Sequence, residues 1–326
     1  MMNSMRRRWR RLDERGITMS EMKATRQAYG EALAKLGGEN ENIVVMDADL
    51  AHATMTKFFM EKYPDRFFNA GIAEANMTDM AVGLAEVGFI PFVSTFAVFG
   101  TGRNFEQIRN SVCYPKANVK LAMTHAGISV GPDGGSHESI EDVALMRVLP
   151  NMTIFCPADA AETEKALRAA VAIEGPVYIR LSRMTTRALP EQDFVPGKAN
   201  CMREGKDTAI FAYGTMVERA LDAAEMLKAE GIDAAVYNFH TIKPLDVETI
   251  SKCAEQYEQI FTVEEHSVVG GLGEAVAGVV AETGACRVKK IGVNDKFGQS
   301  AKPEELFEMY GLDAASVARQ IREVLK

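Results

Sequence analysis

The segment NIVVMDADL, residues 42–50, decides the fold class. Its β-branched apolar centre predicts a buried strand, which runs directly into Asp47 and Asp49. An amphipathic helix is predicted before it over residues 21–37, with Gly37 and Gly38 forming the C-cap, and another after it over residues 55–63. A strand between helices indicates an α/β fold with parallel sheets, in which ligands bind beyond the carboxyl ends of the strands.

The same alternation continues along the chain and predicts two α/β domains with parallel or mixed sheets. Residues 72–87 show helical spacing, and strands are predicted over 89–96, 118–125, 151–159 and 176–182. Residues 188–200 lack periodicity and contain Pro190, Pro196 and Gly197, after which strand and helix patterns restart. We therefore expect a first domain over 21–187, a linker over 188–200 and a second domain over 201–326.

Composition narrows the classes of function. The 326 residues carry a net charge of -8, which argues against nucleic acid as the main partner. No apolar run approaches the roughly 20 residues of a membrane span, and the N-terminus lacks the apolar segment of a secretory signal. The five cysteines have no CxxC spacing, which is typical of reduced thiols. We expect a cytoplasmic protein that binds neither nucleic acid nor membrane.

Residues 1–20 form a basic arm with arginines at positions 6, 7, 8, 10 and 11. A nucleic-acid arm and a transit peptide are both open interpretations, although Asp13 and Glu14 weaken the second. A loose solvated arm, or translation that starts at Met19 or Met22, explains the pattern as well.

Glu74 lies in FNAGIAEANM, residues 68–77, a run of mostly small apolar residues. On a helix it shares one face with Met77, Thr78 and Ala81, so a functional acid would be largely desolvated there. The alternative is an acid that points to solvent or caps the start of the helix, where a negative charge is favoured.

Two further segments contain side chains suited to binding. Residues 91–105 place Phe92, Phe96, Phe99 and Phe105 beside a glycine turn, where aromatic rings either stack on a planar ligand or simply fill the core. The glycine-rich segment THAGISVGPDGGSH, residues 124–137, carries His125, Asp133 and His137. Their spacing matches no familiar zinc pattern, so we expect either hydrogen bonds to a polyol or a purely structural turn.

Together these motifs resemble the C-terminal half of transketolase, a thiamine-diphosphate enzyme. The resemblance covers the chain from about residue 21 onward, in the order ATRQAYGEAL, MDADL, FNAGIAEANM, PFVSTFAVF, THAGISVGPDGGSH, LPNMTIFCPAD, YIRLSR and IKPLD. It implies a pyrimidine-binding domain followed by a transketolase C-terminal domain.

The resemblance also implies roles for individual residues. Glu74 would hydrogen-bond a ring nitrogen of the aminopyrimidine and so help to deprotonate the thiazolium carbon, with Phe96 and Phe99 stacking on the pyrimidine and Asp49 near the cofactor at a subunit boundary. The substrate residues would be those that match the family's sugar-binding and phosphate-binding positions: His125, Asp133 and His137 for hydroxyls, Arg26 and Arg183 for the terminal phosphate. His125 and His137 would also be catalytic and assist the deprotonation of a hydroxyl.

Two positions depart from the family pattern. Ala53 replaces a serine expected near the phosphate, and Gly102 replaces a further aromatic residue. The Gly-Asp-Gly and downstream Asn through which transketolases bind Mg²⁺ and the diphosphate are missing from this sequence. The resemblance therefore implies a separate partner chain that supplies this half of the site, an assembly of two copies of each chain, and no metal ligands here.

Two alternatives to a transketolase subunit would give this chain a different function. The beta subunit of a 2-oxo acid dehydrogenase shares the two-domain plan, but a 2-oxo acid offers few hydroxyls to His125, Asp133 and His137. A non-catalytic binding or regulatory subunit would have no need of a buried Glu74. The related deoxyxylulose-phosphate synthase is normally one long chain.

Overall fold

A computed structural model describes residues 22–284 and 286–326, so the predicted basic arm over 1–20 lies outside the described residues. The strands, in chain order, are β1 (Met22–Ala24), β2 (Ile43–Asp47), β3 (Phe67–Asn69), β4 (Ile90–Ser94), β5 (Lys120–Met123), β6 (Thr153–Phe155), β7 (Val177–Arg180), β8 (Thr185–Arg187), β9 (Asn200–Arg203), β10 (Thr208–Ala212), β11 (Ala234–Asn238), β12 (Thr241–Lys243), β13 (Gln259–Ser267) and β14 (Arg287–Val293). The helices are α1 (Thr25–Glu39), α2 (Ala51–Thr54), α3 (Lys57–Lys62), α4 (Glu74–Glu86), α5 (Ala97–Gly102), α6 (Phe105–Gln107), α7 (Asp142–Arg147), α8 (Ala160–Ala172), α9 (Met216–Ala229), α10 (Val247–Gln256), α11 (Leu272–Thr283), α12 (Pro303–Tyr310) and α13 (Ala314–Leu325).

The first half of the chain forms a seven-stranded sheet in the order β12-β6-β7-β5-β4-β2-β3. All neighbours pair in parallel except β12, which is antiparallel to β6. Residues of β2, β5 and β7 are buried throughout, as expected for strands covered on both faces. The predicted α/β class with parallel or mixed sheets is confirmed.

The second half forms a five-stranded sheet in the order β14-β13-β10-β11-β9. Its strands pair in parallel apart from β9, which is antiparallel to β11 at the edge. Helix α9 buries an alanine-rich face that includes Ala220, Ala223 and Leu227, and α13 packs beside it. The strand and helix order after the predicted linker follows the sequence pattern.

The two halves share part of their hydrophobic core. Strand β12 follows the second half's β11 in sequence but completes the first sheet. One hydrophobic cluster joins Met123 and Tyr178 of the first half to Phe211 and Phe239 of the second. The sequence analysis predicted two domains and did not predict this exchange of a strand.

The predicted cap of α1 is wrong. Helix α1 continues through Gly37 and Gly38 to Glu39, and Asn40 caps it in an extended conformation. A Cβ at Gly38 would lie 2.7 Å from the hydroxyl of Tyr63, and a Cβ at Gly37 would overlap the ring of Phe59. The two glycines therefore permit close packing within the helix rather than ending it.

The predicted helix over residues 55–63 is confirmed in part as α3, and a further short helix, α2, precedes it. Met55 lies between them with a φ of 70°. Within the described residues, no helix is long and apolar enough to cross a membrane.

Candidate active site

Neighbouring strand ends bring the predicted aromatic and histidine residues together. Phe96 follows β4, and His125 follows the adjacent strand β5. The pairing continues past both strands, because Phe96 and Thr124 form a parallel bridge and Ala97 N donates to the Thr124 carbonyl at 2.7 Å. The rings of Phe96 and His125 stack with centroids 3.8 Å apart. The carboxyl edge of the sheet is thus the site that the strand pattern indicated.

Two more rings complete this cluster. Phe99, one turn into α5, is nearly parallel to Phe96 at 5.9 Å between centroids. His137 meets the edge of Phe99 at 5.2 Å and of Phe96 at 6.2 Å. The sequence analysis treated the phenylalanines and histidines as separate sets, whereas the structure brings them into one aromatic cluster: Phe96, Phe99, His125 and His137.

His125 is held in one protonation state. It is only 2% exposed, and burial together with the cations of Arg26 and Arg183 lowers its pKa to about 3. Arg26 Nη1 lies 3.3 Å from Nε2, and Thr124 Oγ1 lies 2.8 Å from Nδ1. Because a guanidinium can only donate, Nε2 is the unprotonated nitrogen and Nδ1 carries the proton. The ring is therefore neutral, and its acceptor nitrogen faces Arg26.

The two predicted phosphate-binding arginines lie close enough to influence each other. Burial lowers the pKa of Arg26, and the charge of Arg183 adds to that effect. Arg26 Nη1 donates to the Ala53 carbonyl at 2.7 Å, and within the described chain its buried Nε has no hydrogen-bond partner. Arg183 Nη1 pairs with exposed Asp133 at 3.1 Å. This pair of cations forms an anion-attracting corner.

Glu74 is the first residue of α4 and is only 4% exposed. It shares the buried face of α4 with Met77, Thr78 and Ala81, as the spacing predicted. Its Oε1 accepts a hydrogen bond of 2.9 Å from Arg103 Nη1.

Arg103 connects Glu74 to the aromatic cluster. Its Cζ lies 4.0 Å from the centre of the Phe99 ring. The sequence analysis missed this residue, and the only signal for it was a cation one position after Gly102.

The two aspartates at the carboxyl end of β2, Asp47 and Asp49, have different environments. Asp47 is fully buried and accepts hydrogen bonds from the hydroxyls of Thr54 and Thr56 at 2.7 and 3.0 Å. Burial raises the pKa of Asp47, and its bonds fix the turn that carries Ala53. Asp49 is exposed, accepts from Asn69 Nδ2 at 2.8 Å, and lines a surface groove with Ala53. Asp49 therefore adjoins the arginine corner and is not a member of the aromatic cluster.

Comparison with known proteins identifies the family. The model for the transketolase pyrimidine-binding domain matches residues 21–188, and that for the transketolase C-terminal domain matches residues 197–317. The chain belongs to the transketolase family.

Several relatives of this transketolase-family chain are themselves short. A putative transketolase C-terminal section from Methanocaldococcus jannaschii is 47% identical, covering 93% of this chain and 97% of that protein. A 6-deoxy-6-sulfo-D-fructose transketolase subunit from a Clostridium is 40% identical, covering 92% and 94%. A solved structure described as a split gene transketolase, inactive beta4 tetramer, is 53% identical with a TM-score of 0.84, covering 93% and 98%.

Transketolases use thiamine diphosphate and a divalent metal ion, and the residues of this chain fit the aminopyrimidine end of that cofactor. A flat heterocycle with an N–H donor needs an aromatic surface and a carboxylate acceptor. In this structure another flat group with N–H donors, the guanidinium of Arg103, makes both kinds of contact: it lies over Phe99 and donates to Glu74. A Cβ at Gly102 would meet nothing within 4 Å, so the space of the family's missing aromatic side chain stays open.

Over residues 22–284 and 286–326, no group of three His, Cys, Asp or Glu side chains could hold a metal ion. The family models that match are those of the pyrimidine-binding and C-terminal domains.

Proposed function

We propose that this chain is one subunit of a two-chain, thiamine-diphosphate-dependent transketolase. It would move a two-carbon ketol unit from a ketose phosphate to an aldose or aldose phosphate acceptor. The observation that carries this proposal is the buried carboxylate of Glu74. It accepts a hydrogen bond from the planar guanidinium of Arg103, which lies over the ring of Phe99. The names of its relatives, which include a transketolase C-terminal section and a split gene transketolase, support the same conclusion.

Glu74 would hold and move one proton. When bound, thiamine diphosphate supplies a carbanion that cleaves a ketose beside its carbonyl group. Glu74 would hydrogen-bond a ring nitrogen of the aminopyrimidine and share a proton with it, and Phe96 and Phe99 would stack on the ring. The apolar neighbours Met77 and Ala81 exclude water, which strengthens the hydrogen bond of the carboxyl group.

The substrate would occupy the side of the cluster that faces the arginines. Nε2 of His125 would accept a hydrogen bond from a sugar hydroxyl in place of the bond from Arg26, and His137 and Asp133 would orient the neighbouring hydroxyls. Arg26 and Arg183 bind the terminal anion of the sugar.

The chemical identity of the terminal anion that Arg26 and Arg183 would bind can be tested. Ala53 offers Arg26 a backbone carbonyl where the family has a serine hydroxyl. The similar Clostridium subunit is named for a sulfonated sugar, so phosphate and sulfonate donors are both candidates.

A separate N-terminal transketolase chain would bind the diphosphate and Mg²⁺, with Asp49 near the cofactor at the boundary between the chains. Two copies of each chain would then form the complete enzyme.

The first experiment isolates the assembly. A tagged copy of the chain is purified from native extract and assayed for cleavage of xylulose 5-phosphate with thiamine diphosphate and Mg²⁺. A co-purifying second chain and cofactor-dependent cleavage are expected, and chelation of Mg²⁺ should abolish the activity. An assembly that cleaves a 2-oxo acid instead would replace this proposal with the dehydrogenase alternative.

Glu74→Gln tests the acid directly. The amide keeps the shape of the side chain but cannot exchange the proton, so cleavage by the assembled enzyme should fall at least about 100-fold. Glu86→Gln makes the same change at an exposed position on α4 and should leave the rate unchanged. Unaltered cleavage by the Glu74→Gln assembly, with its size confirmed by gel filtration, would refute the role of Glu74.

A further inference from the structure

The segment that carries Asp133 and His137, two of the candidate substrate residues, contacts the second half of the chain. This segment, residues 126–139, is called the substrate loop here. It has a short helical turn over residues 128–130 and a bond from Gly127 N to the Ser139 carbonyl at 2.8 Å, and contacts from outside add to these. The amide of Ser129, in that turn, donates to Oε2 of Glu265 on β13 at 3.1 Å. Both side chains are only 1% exposed.

Glu265 is itself fixed on two sides. Its Oε1 accepts a hydrogen bond of 2.6 Å from the hydroxyl of Thr215, which precedes α9. Its backbone carbonyl accepts from Arg180 Nη2 at 3.1 Å. A buried carboxylate requires such donors, and these leave it little freedom to turn.

Glu265 contacts the loop at Gly127 and Ser129, which lie between His125 and Asp133 in the sequence. Gly127 lies two residues after His125, and a Cβ there would lie only 2.7 Å from Cγ of Glu265. On the other side of the contact, the carbonyl of Val130 accepts from Arg183 Nη1 at 3.2 Å. The same Arg183 atom pairs with Asp133. A shift of Ser129 would therefore change the separation between His125 and the pair of Arg183 and Asp133.

We propose that Glu265 is a positioning residue that sets the substrate loop through the amide of Ser129. It does not touch the substrate, and its effect on the reaction rests on the function proposed above. The transketolase C-terminal half would then be a working part of the active site in this chain.

Amide exchange at Ser129 is the direct measurement, because the acceptor of that amide is a side chain from the other half of the chain. Glu265→Ala should speed this exchange at least about tenfold, as expected for the loss of a buried hydrogen bond to a charged group. Glu265→Gln should stay near the native rate, since its carbonyl oxygen can accept from Ser129 while its amide donates to the hydroxyl of Thr215.

Glu264→Ala is the matched control. It truncates the neighbouring buried acid, which accepts instead from the amides of Leu272 and Gly273 at 2.8 Å. Exchange at Ser129 should be unchanged in this variant. Equal acceleration in both alanine variants, or none in Glu265→Ala, would overturn the proposal.

Kinetics of the assembled enzyme give the second readout. A misplaced loop should raise the KM for the ketose donor about tenfold in Glu265→Ala, with recovery in Glu265→Gln. A loss of folded protein alone would lower the apparent kcat at constant KM, and that result would overturn the positioning role. If the native assembly cleaves no ketose, the proposed function fails, whereas the Ser129 exchange still decides whether Glu265 holds the loop.

Discussion

At the scale of single residues, the protonation state of His125 can be tested by itself. Its ordinary pKa of 6.5 falls to about 3 in the fold because of burial, with the charges of Arg26 and Arg183 adding to the effect. Between about pH 5 and pH 8 the ring should stay neutral, so its Cε1 proton signal should not move in an NMR titration. A midpoint inside that range would mean that the ring is accessible to water and that Nε2 is not a permanent acceptor.

The same shift predicts an effect on stability. Because the folded pKa lies below the unfolded one, the neutral ring contributes its stability fully above pH 6.5. That contribution is lost as the pH falls from 6.5 toward 3. His125→Gln should therefore reduce the fall in melting temperature over this range.

The residue types of the candidate site could be predicted from the sequence, but their arrangement could not. His125 and Phe96 stand out by residue type and position, yet their stacking depends on β4 and β5 being neighbours in the sheet. Arg103 was missed because its importance lies in contacts to Glu74 and Phe99, neither of which leaves a pattern in the sequence. The proposed roles of all these residues remain predictions.

At the scale of elements, glycines inside helices were the main source of error. A glycine pair at the end of an amphipathic pattern predicts a cap, but packing against a neighbouring helix selects glycine equally well. Periodicity alone cannot distinguish the two cases. In α1 the rings of Phe59 and Tyr63 occupy the space that side chains at positions 37 and 38 would need, so packing explains the two glycines.

Gly30 offers a test of this packing. A Cβ there would lie 2.7 Å from Cβ of Met55 and 2.9 Å from its carbonyl carbon. Gly30→Ala should therefore destabilise the chain by about 1–3 kcal/mol through overpacking, despite the better helix propensity of alanine. Gly83→Ala in α4 is the control, because a Cβ there meets nothing within 4 Å. It should stabilise by about 0.5–1 kcal/mol.

Denaturant unfolding of Gly30→Ala and Gly83→Ala measures the change in free energy of unfolding for each. Equal effects of the two substitutions would show that propensity outweighs packing at Gly30.

At the scale of the whole molecule, the halves are joined through buried groups. Arg180 of β7 pairs with Asp142 at 2.8 Å, and it also donates to the backbone of Glu265 in the second half. Burial would disfavour a charged Arg180, but the carboxylate of Asp142 offsets this and keeps the pKa of Arg180 above its ordinary value. Strand β12 and the shared hydrophobic cluster add contacts across the same junction.

This junction predicts cooperative unfolding. Because one hydrophobic cluster and strand β12 span both halves, calorimetry of the chain should show a single transition with equal calorimetric and van't Hoff enthalpies. Asp142→Asn leaves the buried Arg180 without its counter-charge, which should cost about 3–5 kcal/mol and move the whole transition downward. Two separate transitions, with only one displaced by Asp142→Asn, would mean that the halves unfold independently. Glu86→Gln, an exposed change outside the junction, should leave the transition where it is.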